Sequence, residues 1–231
     1  MKKYELTDDI ITKPNGDVLH RIKAVRDFGN VKIGDVGGYI EKEENLSHDG
    51  DAWVHGDACV HGDAQVYGNA QVYGNAWVRG NTRVFDDARV YGNAQVYGNA
   101  QVYGRARVYG DARVYGNAQV CGDARVCGDA WVCGDARVYG DARVCGDAWV
   151  CGAAQVCCNR DYFYDHGCGR EQRTTTFFRT KDGKIGVKCG CFYGDMDEFR
   201  KKVKETHGDS KMAEEYLMLA DFNEFRFGKE N

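Results

Sequence analysis

Valine recurs at every sixth position of this chain over more than one hundred residues. Eighteen valines, from Val54 to Val156, keep this spacing without an insertion or a deletion, and alanine precedes each by two residues except at Thr82. Residues two apart point to the same side of a strand, so alanine and valine form an inward-facing pair. Glycine with Asp or Asn, which tolerate turn conformations, separates the pairs. The pattern predicts a solenoid of short strands around a narrow aliphatic core.

The repeated text Asp/Asn-Ala-x-Val-x-Gly resembles the hexapeptide repeat of the left-handed β-helix proteins, which include acyltransferases and γ-type carbonic anhydrases. The resemblance implies three hexapeptides in each triangular coil, so the eighteen valines would form about six coils. The expected fold is mainly β: a left-handed parallel β-helix with an N-terminal β cap and a small C-terminal α+β module. The end segments Gly37-Gly38-Tyr39-Ile40 and Cys189-Gly190-Cys191-Phe192 resemble those of repeat proteins common in phages and prophages.

Turn signals divide the chain into three parts. Residues 1–50 are expected to form a β cap with a hairpin turn at Pro14-Asn15-Gly16, and residues 51–157 form the β-helix. Residues 158–231 read as a second hairpin, turning at Asp182-Gly183, followed by two amphipathic helices. Asp209 or Ser210 is the expected N-cap of the second helix. A module of this size buries little core alone, so we expect it to dock on the β-helix.

Charge and hydropathy exclude several broad classes. The net charge of −4 gives no bulk attraction to nucleic acid or to an anionic membrane. No segment has the length of a membrane span, and the N-terminal residues lack the apolar stretch of a signal peptide. We therefore expect a cytoplasmic protein, in the host cytoplasm if it is phage-encoded, with no membrane partner. Most of its eleven cysteines would then be thiols.

An unbroken phase assigns each outward residue to one of three flat walls, if three hexapeptides make one coil. The candidate binding residues on the first wall are Arg89, Arg107, Arg125, Arg143, Tyr73, Tyr91 and Tyr109. Guanidinium groups beside aromatic rings favour a phosphate-bearing ligand, a nucleic-acid strand or an acidic protein face. The alternative is a solvated surface in which the arginines pair with corner aspartates such as Asp111, Asp129 and Asp147. Nucleic acid is the least favoured partner, because arginines and aspartates nearly cancel along the solenoid.

The second wall carries three tryptophans, Trp77, Trp131 and Trp149. A solitary prism in water would leave these large apolar rings exposed. We therefore expect this wall to be an interface, either with the C-terminal module or with another copy of the chain. The second case would make the protein a homo-oligomer.

Cysteine replaces tyrosine at outward positions of the later coils. The residues are Cys121, Cys127, Cys133, Cys145, Cys151 and Cys157. Cysteine is usually buried, so we expect the C-terminal module to cover this region. Stacked pairs such as Cys127 and Cys145 would lie about 4.8 Å apart, beyond the usual Cβ separation of a disulfide, so thiols are predicted. A zinc site built from Cys157 or Cys158 with Cys168, Cys189 and Cys191 is an open alternative, but the paired C-x-x-C spacing is absent and no metal or other cofactor is assigned.

Catalytic signals are weak. Hexapeptide acyltransferases use a histidine base near a cleft between subunits and carry a loop excursion, whereas no coil here carries one. His48, His55 and His61 gather as in the three-histidine metal site of γ-carbonic anhydrases, yet His55 and His61 fall on different walls. No catalytic residue is assigned, and a non-enzyme is favoured. We expect a solenoid that binds a host protein or a small anionic ligand, as in phage counter-defence. An acyltransferase-like enzyme and a structural assembly element are the alternatives.

Overall fold

The valine and alanine repeat winds into a parallel β-solenoid of about seven turns. The structure is a computed structural model that describes residues 1–168 and 173–228. Every repeat alanine and valine from Ala52 to Val156 is buried, with at most 1% of its surface exposed. These side chains form one continuous core along the solenoid. The predicted mainly β fold, with parallel stacked strands, is confirmed.

Between residues 53 and 156, eighteen short strands, β4 to β21, stack in three flat parallel sheets. Paired residues are eighteen positions apart, so three strands complete one turn. The arginine wall consists of Trp53–Val54, Gln71–Val72, Arg89–Val90, Arg107–Val108, Arg125–Val126 and Arg143–Val144. The tryptophan wall consists of Cys59–His61, Trp77–Arg79, Gln95–Val96, Arg113–Val114, Trp131–Val132 and Trp149–Val150. The glutamine wall consists of Gln65–Val66, Arg83–Val84, Gln101–Val102, Gln119–Val120, Arg137–Val138 and Gln155–Val156.

Glycine occupies the corners because successive coils approach too closely there for a side chain. Gly92 has a φ of 73°, and a Cβ atom on it would lie 3.0 Å from the backbone nitrogen of Gly110 in the next coil. Both the positive φ and the close approach favour glycine. Asp86, with a φ of 57°, is the one non-glycine residue with positive φ in the described part of the chain. It stands at a corner where the other repeats have glycine.

The residues before the repeat add a turn to the solenoid. They form β1 (Tyr4–Thr12) and β2 (Val18–Ala24), an antiparallel hairpin, then β3 (Val36–Ile40) and a 3-10 helix (Glu43–Asn45). β3 pairs in parallel with the first strand of the tryptophan wall, and Leu46 bridges to Val66 on the glutamine wall. The eighteen valines form the six coils that their spacing predicts, and this preceding segment brings the solenoid to about seven turns. Backbone hydrogen bonding extends the stack beyond the residues that carry the Ala-x-Val pattern.

The C-terminal module combines a four-stranded antiparallel sheet with two helices. Its elements are β22 (Tyr162–Cys168), β23 (Arg173–Arg179), β24 (Ile185–Cys189), β25 (Phe192–Asp195), α1 (Met196–His207) and α2 (Lys211–Phe227). The predicted hairpin at Asp182-Gly183 joins β23 to β24 and is confirmed. Ser210, one of the two expected N-caps, accepts the backbone N–H of Ala213 at the start of α2. Among the described residues, no helix has the length and apolar character needed to cross a membrane.

The C-terminal module closes the end of the solenoid core. Phe178 is fully buried and belongs to the same apolar core as the repeat valines. The backbone N–H of Trp149, in the last coil, donates to the hydroxyl of Thr176 at 2.9 Å. The N–H of Lys181 donates to the carbonyl of Ala153 at 3.1 Å. These contacts replace those that a further coil would make. The C-terminal module is therefore docked on the solenoid, as we expected from its small size.

Thr82 interrupts the column of inward-facing alanines, and its hydroxyl is fully buried without a hydrogen-bond partner. Thr82→Val removes the hydroxyl and keeps the shape, so we expect the free energy of unfolding to rise by about 1 kcal/mol. The matched control is Ala100→Thr, one coil further along the same column, which should lower it because it adds a hydroxyl and a methyl group to a filled core. Urea unfolding measures both. A Thr82→Val protein less stable than the wild type would contradict this account of the core.

Candidate functional site

Four arginines lie in one straight column on the arginine wall. Arg89, Arg107, Arg125 and Arg143 are direct partners in successive parallel strands, as their spacing predicts. Arg125 is half-buried, and the other three are exposed. Because the backbone positions are held by the stacked strands, the fold fixes the spacing of the column at about 4.8 Å per coil.

The arginine column lacks carboxylate partners. No carboxylate oxygen of residues 1–168 or 173–228 lies within 4.0 Å of a guanidinium nitrogen of these four arginines. The corner aspartates make other contacts: Asp111 accepts a hydrogen bond from Asn93 at 3.0 Å, and Asp147 lies 3.6 Å from His166. The expected ion pairs of the column with Asp111, Asp129 and Asp147 are therefore absent among the described residues. Asp111 instead bonds along its own corner of the prism, and Asp147 lies beside the C-terminal module.

A stacked column of tyrosines runs beside the arginines. The ring centroids of Tyr73, Tyr91 and Tyr109 are separated by 4.7 and 4.9 Å, with interplanar angles of 3° and 4°. Burial raises the pKa of Tyr91, with further contributions from the two neighbouring tyrosines, although Arg107 and Arg125 act in the opposite direction. The rings face one another, so their edges form a narrow flat strip next to the guanidinium groups. Cationic and aromatic groups are thus held side by side on rigid strands.

The N-terminal end of the arginine wall is covered. Trp53 points outward from the first strand, yet it is only 1% exposed. Its ring packs against those of Phe28 and Tyr4, at centroid distances of 5.3 and 6.1 Å. The imidazole of His55 hydrogen-bonds to the amide oxygen of Gln71 at 2.7 Å. The open part of the wall therefore begins near the first stacked tyrosine.

Two disulfides join the last two coils, contrary to the predicted thiols. Cys127 is bonded to Cys145 on the arginine wall, and Cys133 to Cys151 on the tryptophan wall. The Cα atoms are 4.6 and 4.7 Å apart, which is inside the range that disulfides adopt. The prediction was wrong because it compared the strand spacing with a Cβ separation, whereas stacked side chains can lean toward each other. The other seven cysteines are thiols.

The late cysteines are buried to different degrees on the three walls. Cys133 and Cys151, on the tryptophan wall, are buried. The other four outward cysteines of the late coils are half-buried. On the arginine wall, the hydroxyl of Tyr162 in the C-terminal module donates to the carbonyl of Arg143, so the cover beside Cys145 is partial.

The tryptophans lie where flanking segments meet the solenoid. Lys13, in the N-terminal hairpin, places its ammonium group 4.0 Å from the ring centroid of Trp77, which is 36% exposed. At the other end, the rings of Trp131 and Trp149 stack with centroids 4.6 Å apart. The ammonium group of Lys188, on β24, lies 5.0 Å from the ring centroid of Trp149. Contact with the C-terminal module is one of the two interfaces that the sequence predicts for this wall.

The three histidines near the first coil have separate surroundings. The ring of His48 stacks on Tyr4 at 4.4 Å, and His55 bonds to the amide on the arginine wall described above. His61 is buried with Nδ1 3.3 Å from the carboxylate of Asp17, and burial lowers the pKa of its imidazole. They therefore do not form the three-histidine arrangement considered from the sequence.

Two groups of side chains in the described part of the chain bring three potential metal ligands within 4.8 Å of one another: Asp17, Glu41 and His61, and Cys157, Cys158 and Asp161. In the second group the Asp161 carboxylate accepts the backbone N–H groups of Cys157 and Cys158 at 2.8 and 3.1 Å. The hydrogen bond to Asp161, together with burial, raises the pKa of the Cys157 thiol to about 11. Neither group includes Cys168, Cys189 or Cys191, so the structure does not assemble the zinc site considered from the sequence.

A family model described as the YdcK Beta solenoid repeat matches residues 64–80, 82–98, 100–116, 106–120, 118–134 and 136–152. All of these matches lie within the stacked strands, and most of them span nearly one whole coil. The match and the stacked parallel sheets together show a β-solenoid repeat protein, whose rigid surface is consistent with a structural or scaffold role. A search of curated proteins finds no match to the chain.

The two disulfides predict a definite count of reactive thiols. Protein purified without reductant and alkylated with iodoacetamide in denaturant should gain seven carbamidomethyl groups. Prior reduction should raise the count to the full eleven. Intact mass spectrometry distinguishes the two, and a Cys127→Ser, Cys145→Ser control should lose one of the two bonds. Eleven groups without reduction would show that the coils are not crosslinked.

The ring of Trp149 is predicted to anchor the C-terminal module. Trp149→Ala removes a half-buried ring between the last coil and β24, so we expect the free energy of unfolding to fall by about 1–3 kcal/mol. Hydrogen exchange in β23 and β24 should accelerate, because these strands lose their contact with the solenoid. The matched control is Trp77→Ala, at the other end of the same wall, which should leave exchange in the C-terminal module unchanged. Equal effects of the two variants would argue against a local anchor.

Proposed function

We propose that this chain is a non-catalytic solenoid scaffold whose arginine wall binds an anionic partner. The observation that carries the proposal is the column of four arginines in register, which has no carboxylate partner in the described part of the chain. The partner would be the acidic face of a host protein or a small anionic ligand bearing carboxylate or phosphate groups. Such groups match the donor geometry of guanidinium.

Electrostatic repulsion within the column supports an anionic partner. If neighbouring guanidinium groups follow the strand spacing of about 4.8 Å, each adjacent pair repels by about 0.9 kcal/mol in bulk water. The solenoid cannot relieve this repulsion by moving one coil, because the backbone register is fixed. A bound anion reduces the repulsion between several neighbouring pairs of arginines at once. Binding should therefore be multivalent and should weaken as salt is added.

The tyrosine column supports the same surface. The rings of Tyr73, Tyr91 and Tyr109 are already ordered by stacking, so a partner loses little additional freedom on contact. Their edges and hydroxyl groups lie beside the cations and offer van der Waals contact and hydrogen bonds. Tyrosine and arginine are the residue types most enriched in binding hot spots.

Several finer features belong to the proposal. Left-handed winding and a phage origin follow the resemblance of the repeat and of the two ends. The three-part division at residues 50 and 157 follows the change from hairpin to repeat to mixed module. Self-association is supported by three exposed apolar side chains on one face of α2, Met218, Phe222 and Phe225. In a host cytoplasm, the four cysteines of the two disulfides would be thiols.

Charge reversal on the arginine wall tests the proposal. Arg107→Glu with Arg125→Glu should weaken binding of long-chain inorganic polyphosphate, used as the anionic probe, by more than tenfold. Folding should be unaffected, because these side chains lie outside the valine and alanine core. Isothermal titration calorimetry at two salt concentrations gives both the affinity and its salt dependence.

The matched control is Arg83→Glu with Arg137→Glu on the glutamine wall, which makes the same change in net charge at exposed positions. This control should bind the probe within about twofold of the wild type. Equal losses in the two double variants would show that the probe senses net charge only. Unchanged binding by the arginine-wall variant would place the anionic site elsewhere.

A further inference from the structure

The C-terminal module contains a cavity of about 300 Å³ beneath helix α1. Its apolar lining comes from β25 and from both helices: Phe192, Phe199, Val203, Met212 and Tyr216. The volume is at the lower end of the range of small-molecule pockets, about 300–1,000 Å³. The cavity is separate from the arginine wall, and nothing in the proposed function uses it.

The inner surface of this cavity is rigid. Phe199, Val203 and Tyr216 are 3%, 4% and 5% exposed, so each is fixed by its neighbours on the other side. The ring of Phe199 contacts Phe192 at a centroid distance of 5.6 Å, and it meets Tyr216 edge to face at 6.0 Å. Packed aromatic rings of this kind do not collapse to fill an adjacent space. The cavity is therefore preformed for an apolar guest.

The ionisable nitrogen-bearing side chains of the cavity lining are all basic. Arg173, Lys202 and His207 contribute basic side chains, and no Asp or Glu of the described residues lines it. The Arg173 guanidinium lies over the backbone of Gly190, where a Cβ atom would come within 3.0 Å of Nη1. Lys202 has one weak ion pair, 3.9 Å from Glu205, and its side chain is 60% exposed. These basic groups lie at the edge of an apolar space, and the ammonium group of Lys202 is accessible there to a negatively charged group.

Two thiols, Cys189 and Cys191, line the cavity, and neither belongs to a group of three potential metal ligands within 4.8 Å of one another among the described residues. Cys189 accepts a hydrogen bond from the Thr175 hydroxyl at 3.2 Å, and Cys191 is exposed. Tyr216 donates its hydroxyl hydrogen to the carbonyl of Cys168 at 3.1 Å. Burial raises the pKa of Tyr216, so the ring adds no negative charge near neutral pH. The Tyr216 side chain therefore does not repel an anion that enters the cavity.

We propose that this cavity binds a small apolar carboxylic acid. The aromatic or branched body would lie among Phe192, Phe199 and Val203, and the carboxylate would lie at the mouth near Lys202 and Arg173. The apolar lining disfavours inorganic anions and sugars, which would lose hydrogen bonds to water without replacement. The basic side chains disfavour amines, because a protonated amine would carry a charge of the same sign. The C-terminal module is then a ligand-binding unit at the end of the scaffold.

A matched set of naphthalene probes tests this inference on the full chain. The probes are 2-naphthoate, the neutral 2-naphthalenemethanol and the cationic 2-naphthylmethylamine, which share the ring and differ in charge. We expect 2-naphthoate to bind at least tenfold more tightly than the alcohol, and the amine to bind least, measured by naphthalene fluorescence and calorimetry. Equal affinities for acid and amine, or no saturable binding of the acid at millimolar concentration, would overturn the proposal.

Charge and shape variants localise the binding. Lys202→Glu should weaken 2-naphthoate binding at least tenfold, whereas Lys201→Glu, an exposed neighbour on the same helix that does not line the cavity, should change it by less than twofold. Thr206→Trp, at an exposed lining position of α1, should block the acid and the alcohol alike while the melting temperature is kept. Because both lysines are exposed, neither charge variant depends on refolding of the core. Equal effects of the two lysine variants would place the acid outside the cavity.

Discussion

The register between successive coils is the constraint on which the rest of this structure depends. Each coil donates backbone hydrogen bonds to the next, as from the N–H of Arg107 to the carbonyl of Ala124 and from Arg125 to Ala142, both at 2.9 Å. The valine and alanine pairs fill the space inside, and glycine permits the close approach at the corners. Because the repeat never slips, each outward side chain lies directly above the one eighteen residues earlier.

Exact stacking has opposite consequences for different side chains. Tyrosine rings gain contact area, and corner asparagines bond in chains that end on aspartate, as from Asn99 to Asn117 to Asp135. Cysteines at equivalent positions come close enough to bond. The four arginines of the column, by contrast, are placed next to like charges, with no carboxylate of residues 1–168 or 173–228 within 4.0 Å. The packing of the described coils thus leaves this column without an anionic partner, and this is why it supports an external anion.

The sequence predicts most of the repeat region, because the six-residue spacing determines on which wall of the solenoid each outward residue lies. The three walls, the arginine and tyrosine columns and the N-cap at Ser210 follow from periodicity and local propensity. The turn formed by β3 and Leu46 does not, because it is held by backbone pairing and carries no Ala-x-Val signature. Nor does the burial of Lys3, whose ammonium group donates to the carbonyl of Ala52 at 2.8 Å. That contact depends on how the N-terminal hairpin folds over the first coil.

The candidate sites were predictable to different degrees. The column of arginines could be listed from the sequence, but whether corner aspartates reach it depends on side-chain direction, which periodicity does not specify. The disulfides depend on how far stacked cysteine side chains lean toward each other, which the repeat spacing does not specify. The cavity in the C-terminal module arises from the way α1 and α2 cross the sheet, and no local pattern in residues 158–231 indicates it. Long-range packing of short, irregular elements is the part of this fold that sequence patterns describe least.

The central claim is that one continuous wall, fixed by register, makes the binding surface. Inserting twelve residues, Asn-Ala-Gln-Val-Tyr-Gly twice, between Gly122 and Asp123 keeps the core pattern but moves Arg125 and Arg143 to the glutamine wall, behind Gln119, and so splits the column. Inserting a copy of residues 105–122 at the same place adds one full coil and keeps the column aligned. We predict that the insertion of a full coil preserves polyphosphate affinity, whereas the twelve-residue insertion lowers it at least tenfold while the circular dichroism spectrum remains that of the folded solenoid. Equal affinities of the two folded proteins would contradict it.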